Sequence, residues 1–194
     1  MTDRFVIHFG PVLRKLSDED FFEFCQANQD WRIECTHDGD LIIMPPTGGE
    51  TGRRNFDLTG ACGIWARADG TGVGFGSSTG FTLPNGAVRS PDLAWVRLPR
   101  WNALTQRQRE RFAPLCPDFV VELRSPSDLL TVLQAKMEEY IQNGAELGWL
   151  IDPFEKKVHV YRPQAQVECL DNPTIVSGEP LLKGFVLDVR ELWI

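Results

Sequence analysis

Pro117-Asp118-Phe119-Val120-Val121-Glu122-Leu123-Arg124-Ser125-Pro126-Ser127-Asp128 is the stretch on which the reading of this chain turns. Residues 119–123 form a short β-rich run, nearly continuous in apolar side chains, as a central strand buried on both faces is. Glu122 interrupts that run. A buried carboxylate without a partner is costly and tends to take up a proton, so a glutamate in a core strand wants a cation. Upstream, Asp92 opens a second apolar strand, Asp92-Leu93-Ala94-Trp95-Val96, directly after Pro91. Two explanations compete for these acids. In the plain one, Asp92 turns the chain and Glu122 pairs with an arginine such as Arg89 or Arg124. In the other, both carboxylates hold one hard divalent cation. Mg2+ suits that role because it takes few carboxylates, keeps several waters and accepts phosphate oxygens.

Downstream of Glu122 the spacing predicts a helix from Ser127 to about Asn143, with Gly144 as its stop. Leu129, Leu130, Leu133, Met137, Tyr140 and Ile141 mark its apolar face, and Lys136 lies within that arc. A lysine so placed ordinarily keeps its amine in water. Over the end of the Glu122 strand, the same amine meets the carboxylates and any bound phosphate, where it can orient water or offset developing charge. Arg124 stays protonated and so cannot serve as a base, although it can neutralise a phosphate.

The rest of the chain frames these segments. Ser17-Asp18-Glu19-Asp20 fits a capping box before Phe21, Phe22, Phe24 and Cys25. Residues 31–35 and 41–44 read as a β-hairpin around Asp38-Gly39. A helix is expected over 50–67, with Phe56, Leu58, Ile64 and Trp65 on its inner side. Short strands follow at 73–75 and 80–83, and Gly72 to Gly76 are read as glycines that permit close packing. Residues 105–112 suggest a polar surface helix. Strands are expected at 147–151 and 158–161, more β structure over 173–186, and a final short helix at 188–192. The sum is a single domain over 1–194 of mixed α/β (α+β) class, a central mixed β-sheet flanked by helices with an N-terminal β-hairpin.

Composition agrees. The 194 residues are 42% hydrophobic and 24% charged, the balance of one globular domain rather than a disordered or collagen-like chain. The longest apolar runs fall far short of the ~20 residues of a membrane span, and Met1-Thr2-Asp3-Arg4 begins no secretory signal. Five scattered cysteines without a Cys-x-x-Cys pair point to reduced, buried thiols and a cytoplasmic setting. The net charge of −7 argues against binding nucleic acid by bulk electrostatics alone. His8, His37 and His159 share no spacing, and no Gly-x-Ser-x-Gly or phosphate-loop motif occurs. Histidine-based zinc sites, serine triads and P-loops are thereby set aside.

One resemblance unites the remaining features. Glu34, Met44-Pro45-Pro46-Thr47-Gly48, Arg89-Ser90-Pro91-Asp92, the 117–128 stretch, Lys136-Met137-Glu138-Glu139-Tyr140 with Gly144, and Gly148-Trp149-Leu150-Ile151-Asp152-Pro153 follow in order. Together they resemble the Uma2 family, assigned to the restriction endonucleases and formerly a domain of unknown function. The likeness runs from about residue 17 to residue 192. It implies the PD-(D/E)xK, restriction-endonuclease-like fold and a Mg2+- or Mn2+-dependent endonuclease acting on DNA. Asp92 matches the aspartate of the motif, Glu122 its second acid, and Glu34 an additional N-terminal glutamate that supports the metal or its waters. Where the motif has lysine this chain has Arg124; in Uma2-like proteins the lysine is moved to the next helix, here Lys136. Tyr140 stands four residues on, as in the Gln-x-x-x-Tyr helix of related nucleases.

The resemblance then implies a metal held by Asp92, Glu122 and the backbone carbonyl of Leu123. Lys136 would align water, and Arg124, Tyr140, Arg53 and Arg54 would meet phosphate or substrate. Arg107, Arg109 and Arg111 are a further basic set, more simply a solvated helix. A homodimer follows by analogy with nucleases that pair two sites. The alternative is a catalytically inactive relative that only binds nucleic acid or a protein partner.

Overall fold

The structure, a computed structural model, describes residues 5–8 and 16–193. In chain order these form β1 (Phe5–Ile7), α1 (Asp18–Ala27), β2 (Arg32–Cys35), β3 (Leu41–Met44), α2 (Gly49–Asp69), β4 (Gly72–Gly76), β5 (Phe81–Thr82), β6 (Val88–Arg89) and β7 (Leu93–Arg97). Then come α3 (Leu98–Asn102), α4 (Gln106–Arg109), β8 (Phe119–Leu123), α5 (Leu130–Gln142), β9 (Leu147–Asp152), β10 (Lys157–Tyr161) and β11 (Glu168–Asp171). The chain closes with β12 (Ile175–Ser177), β13 (Val186–Asp188) and a 3-10 turn at Arg190–Leu192.

A six-stranded sheet in the order β11-β10-β9-β8-β7-β4 is the core of the molecule. Its pairs are antiparallel except β8 with β9, so the sheet is mixed as expected. Alternation along the strands sorts the two faces. Phe119, Val121 and Leu123 pack with Leu58, Cys62 and Ala66 of α2, and the C-terminal strands cover the same side. Val120, Ala94, Val96 and Leu150 pack on the other side with Leu133, Met137 and Tyr140 of α5. By the same parity, Asp92 and Glu122 fall on the α5 face. Gly72 shows why a glycine is needed in β4, since a Cβ there would lie 2.2 Å from the Trp95 ring.

The expected hairpin, β2 and β3, belongs to a second sheet in the order β1-β3-β2-β6-β5. Its turn runs through Gly39 at φ +94°, a left-handed conformation that suits glycine. Ser90, Pro91 and Asp92 carry the chain from β6 in this sheet to β7 in the central one, which brings the two sheets together at the candidate site.

Several local expectations are corrected. On α2, Phe56 and Ile64 are 79% and 75% exposed rather than inward. Leu58, Cys62 and Ala66 hold the buried stripe, and positions 56 and 64, two residues out of phase with it, turn to the opposite side. The polar helix of 105–112 is a single turn, Gln106–Arg109, closed by a Thr105–Gln108 capping box. Helix α5 starts at Leu130 because Ser125 and Asp128 tie the preceding residues into a turn, with Asp128 Oδ2 accepting from the Ser125 N–H at 2.8 Å. The expected final short helix is a 3-10 turn confined to Arg190–Leu192, and residue 188 belongs to β13. All five cysteines are free thiols; Cys35, Cys62 and Cys116 are buried as expected, whereas Cys25 is half-buried and Cys169 exposed. No helix among the described residues is long and apolar enough to cross a membrane.

Candidate active site

Beside the junction of the two sheets lies a cleft of about 1010 Å3. Asp92, Glu122, Leu123 and Lys136 line its floor, and Thr47, Gly48, Ser77 and Ser78 belong to its rim loops. Register explains the central pair. Strands β7 and β8 match Leu93 with Val121 and Ala94 with Val120, so one step further Asp92 stands across from Glu122. Asp92 is oriented by the strand it faces, its Oδ2 accepting from the Leu123 N–H at 2.9 Å.

Lys136 enters from α5. Only 6% exposed, it places Nζ 2.8 Å from Glu122 Oε1 and 2.8 Å from Glu34 Oε1. Tyr140, one helical turn on, donates its hydroxyl to Glu122 Oε1 at 3.1 Å. Glu34 comes from β2 and is fully engaged: Oε1 also accepts from the Ser90 N–H at 3.0 Å, and Oε2 lies 3.3 Å from Arg89 Nη1. Arg89 in turn reaches Glu139 Oε2 at 2.6 Å. Arg32 bonds the Ser90 carbonyl and approaches Asp92 Oδ1 at 3.4 Å.

These contacts push the two glutamates apart. Burial raises the Glu122 carboxyl, and the negative charges of Asp92 and Glu34 add to the rise; Lys136 opposes it, and the outcome is about 7. Glu34 is equally buried, but Lys136, Arg89 and Arg32 overcome the cost and hold it down at about 2. Burial and the neighbouring Glu122 raise the Tyr140 hydroxyl well above its ordinary value, so it stays protonated and acts as a donor.

The donor chemistry fits a hard divalent cation. Glu122 Oε2 receives no hydrogen bond from the described residues, and Asp92 Oδ1 has only the long contact to Arg32. No three His, Cys, Asp or Glu side chains gather as a ready metal cage among the described residues. Two carboxylates are too few for a structural zinc site and suit an ion that retains its water.

The Uma2 family model, described as "Putative restriction endonuclease", matches residues 18–190. The chain belongs to the Uma2 family. No curated protein sequence matches it. Among solved structures it is similar to the crystal structure of a putative nuclease belonging to DUF820 from Anabaena variabilis. That match has a TM-score of 0.76 and 20% identity, and covers 92% of this chain and 97% of the other. At that identity the likeness establishes the fold.

Within this Uma2 chain Glu34, Asp92, Glu122, Lys136 and Tyr140 converge, whereas three arginines do not. Arg124 turns to Asp152, with Nη1 2.7 Å from Oδ2, and lies over the Phe154 ring. A buried aspartate at the end of β9 captures it. Arg53 pairs with Glu50 and Asp57, and the buried Arg54 lies 3.5 Å from Glu50; neither lines the cleft. Arg107 and Arg111 bind Glu19 and Glu23 on the α1 surface, and Arg109 lies over Trp101. Tyr140 is wholly buried against Glu122, out of reach of a phosphate in the cleft. Residue-level reading missed Arg32, although it alternates with Glu34 on β2 and so shares its face. It also missed that Arg89 and the Ser90 N–H serve Glu34.

Proposed function

We propose that this chain is a divalent-metal-dependent endonuclease hydrolysing phosphodiester bonds in DNA. The observation that carries the reading is the cross-strand pair Asp92–Glu122 at the cleft floor, with the Lys136 ammonium 2.8 Å from Glu122. Asp92, Glu122 and the Leu123 carbonyl would hold the ion. Once bound, Mg2+ or Mn2+ supplies polarisation of the phosphate and acidifies a coordinated water.

The protein groups divide the remaining work. Asp92 is aimed by the Leu123 N–H, and Glu122 by the Tyr140 hydroxyl. Lys136 lies between two carboxylates at 2.8 Å from each, so its part is to align the attacking water and offset charge. Glu34, bonded to Lys136, Arg89 and the Ser90 N–H, is a positioning residue for that amine. A cytoplasmic setting is part of the proposal, supported by the five free thiols. So is a homodimer, for which the exposed Phe56 and Ile64 on α2 offer an apolar surface.

The test compares wild type with Glu122→Ala and Lys136→Ala on DNA substrates in Mg2+ or Mn2+, with EDTA as control. Metal-dependent cutting by wild type and at least a ~100-fold loss in both variants is expected. Cutting that persists at the wild-type rate in both would remove these residues from the mechanism.

A further inference from the structure

Trp31 has no part in the hydrolytic centre, yet it lines the cleft directly before Arg32. It is 50% exposed, stacks on no other ring and donates its indole N–H to no group among the described residues. The other five tryptophans of the chain all lie in or against the two large cores. Register extends the apolar surface beside it: Arg32 pairs with Met44, and Met44, Pro45 and Pro46 also line the cleft. An indole left this open is a surface for a flat ligand.

The charges of the cleft specify which one. Asp30, Glu50, Asp92, Glu122 and Asp128 line it against two cations, Arg32 and Lys136. Both cations are already engaged, Arg32 with Asp92 and the Ser90 carbonyl, Lys136 with Glu34 and Glu122. A duplex brings one phosphate per ~1.7 Å of axis and is gripped by rows of uncommitted lysines and arginines. This lining offers no such row among the described residues. A single strand carries its charge less densely and shows its base faces, which stack on aromatic side chains without regard to sequence.

Resting on the nuclease reading above, we infer that the cleft takes single-stranded DNA, with an unpaired base stacked on Trp31 beside the Asp92–Glu122 pair. Trp31 is then the residue that selects unpaired over paired substrate.

The experiment measures binding of a fluorescein-labelled oligonucleotide, alone and annealed to its complement, by anisotropy with Ca2+ in place of Mg2+. The single strand is expected to bind on the order of tenfold more tightly than the duplex, and Trp31→Ala to lose about tenfold in single-strand affinity. Trp31→Phe should keep most of the affinity and Trp31→Leu should not, which separates stacking from bulk and from misfolding. Equal affinity for the duplex, or unchanged single-strand affinity in both Trp31→Ala and Trp31→Leu, overturns the inference. Cleavage in Mg2+ on the same samples keeps the two readings apart. A wild type that cuts duplex while Trp31 is irrelevant refutes only the stacking. A wild type that binds single strands through Trp31 and cuts nothing upholds the stacking and refutes the nuclease.

Discussion

Lys136 and Glu122 meet at 2.8 Å across the space between α5 and β8, a contact between a helix and the strand that precedes it. The same Nζ lies 2.8 Å from Glu34, so one buried ammonium separates two buried carboxylates from different sheets. Removing that ammonium strips Glu122 of its one ion-pair partner among the described residues and leaves Glu34 with Arg89 and the Ser90 N–H. Lys136→Met is therefore expected to cost roughly 3–5 kcal/mol in urea unfolding at pH 8. Adding Glu34→Gln should recover part of that loss. A single variant as stable as wild type would mean that the lysine contributes nothing to holding the acids together.

The two glutamates predict opposite pH limbs. Glu34 is held at about 2, against ~4.3 when unfolded, so its contribution is complete above ~4.5 and drains away as pH falls towards 2. Glu122, raised to about 7, favours the folded state in its neutral form. Its contribution is complete below ~4.3 and is lost as pH rises through 7 without divalent metal. Thermal unfolding in EDTA should show Tm falling between pH 5 and 8 on the order of what ~3 kcal/mol produces, and Glu122→Gln should flatten that limb alone. A variant that falls as steeply as wild type would assign the limb elsewhere.

Divalent metal should offset part of the neutral limb. Binding to the folded state at ten times Kd stabilises by about 1.4 kcal/mol, or a Tm rise of roughly 3–5 °C for a chain of this size. The rise should vanish in Asp92→Asn with Glu122→Gln. An unchanged melting curve for wild type in millimolar Mg2+ and Mn2+ would favour the inactive relative.

Arg124 is expected to matter for stability and not for cutting. Its guanidinium satisfies the buried Asp152, so Arg124→Met should cost about 2 kcal/mol while leaving the cleavage rate of the folded protein unchanged. A tenfold fall in rate at unaltered stability would return Arg124 to the phosphate.

The exposed pair on α2 gives a test of assembly. If a second copy covers Phe56 and Ile64, sedimentation should show a dimer that Phe56→Asp with Ile64→Asp converts to monomer, without loss of helix content. A wild type that sediments as a monomer at all concentrations refutes the dimer.

Much of this was legible along the chain, because strand and helix periods are local. The apolar run of β8 with its single acid, the Pro91-Asp92 entry to β7 and the lysine inside the apolar arc of α5 each stand out in sequence. Family likeness added Glu34. What stayed hidden was the destination of the arginines around the site. Arg124 is next but one to Glu122 in sequence yet ends on Asp152, 28 residues later. Phe56 and Ile64 fit a plausible inner face until the true stripe, Leu58-Cys62-Ala66, is seen.

By itself, the order of residues marked Asp92 and Glu122 as acids set in apolar strands and named the helix that lies over them, since hydrophobic period and chain connectivity are local. Only the folded molecule decided who compensates whom. Arginine and lysine stems span several ångströms and choose among acids brought close by sheet register and sheet junction, and no spacing in the chain encodes that choice. For the same reason Trp31 became visible as an open surface only once the other tryptophans had found their cores.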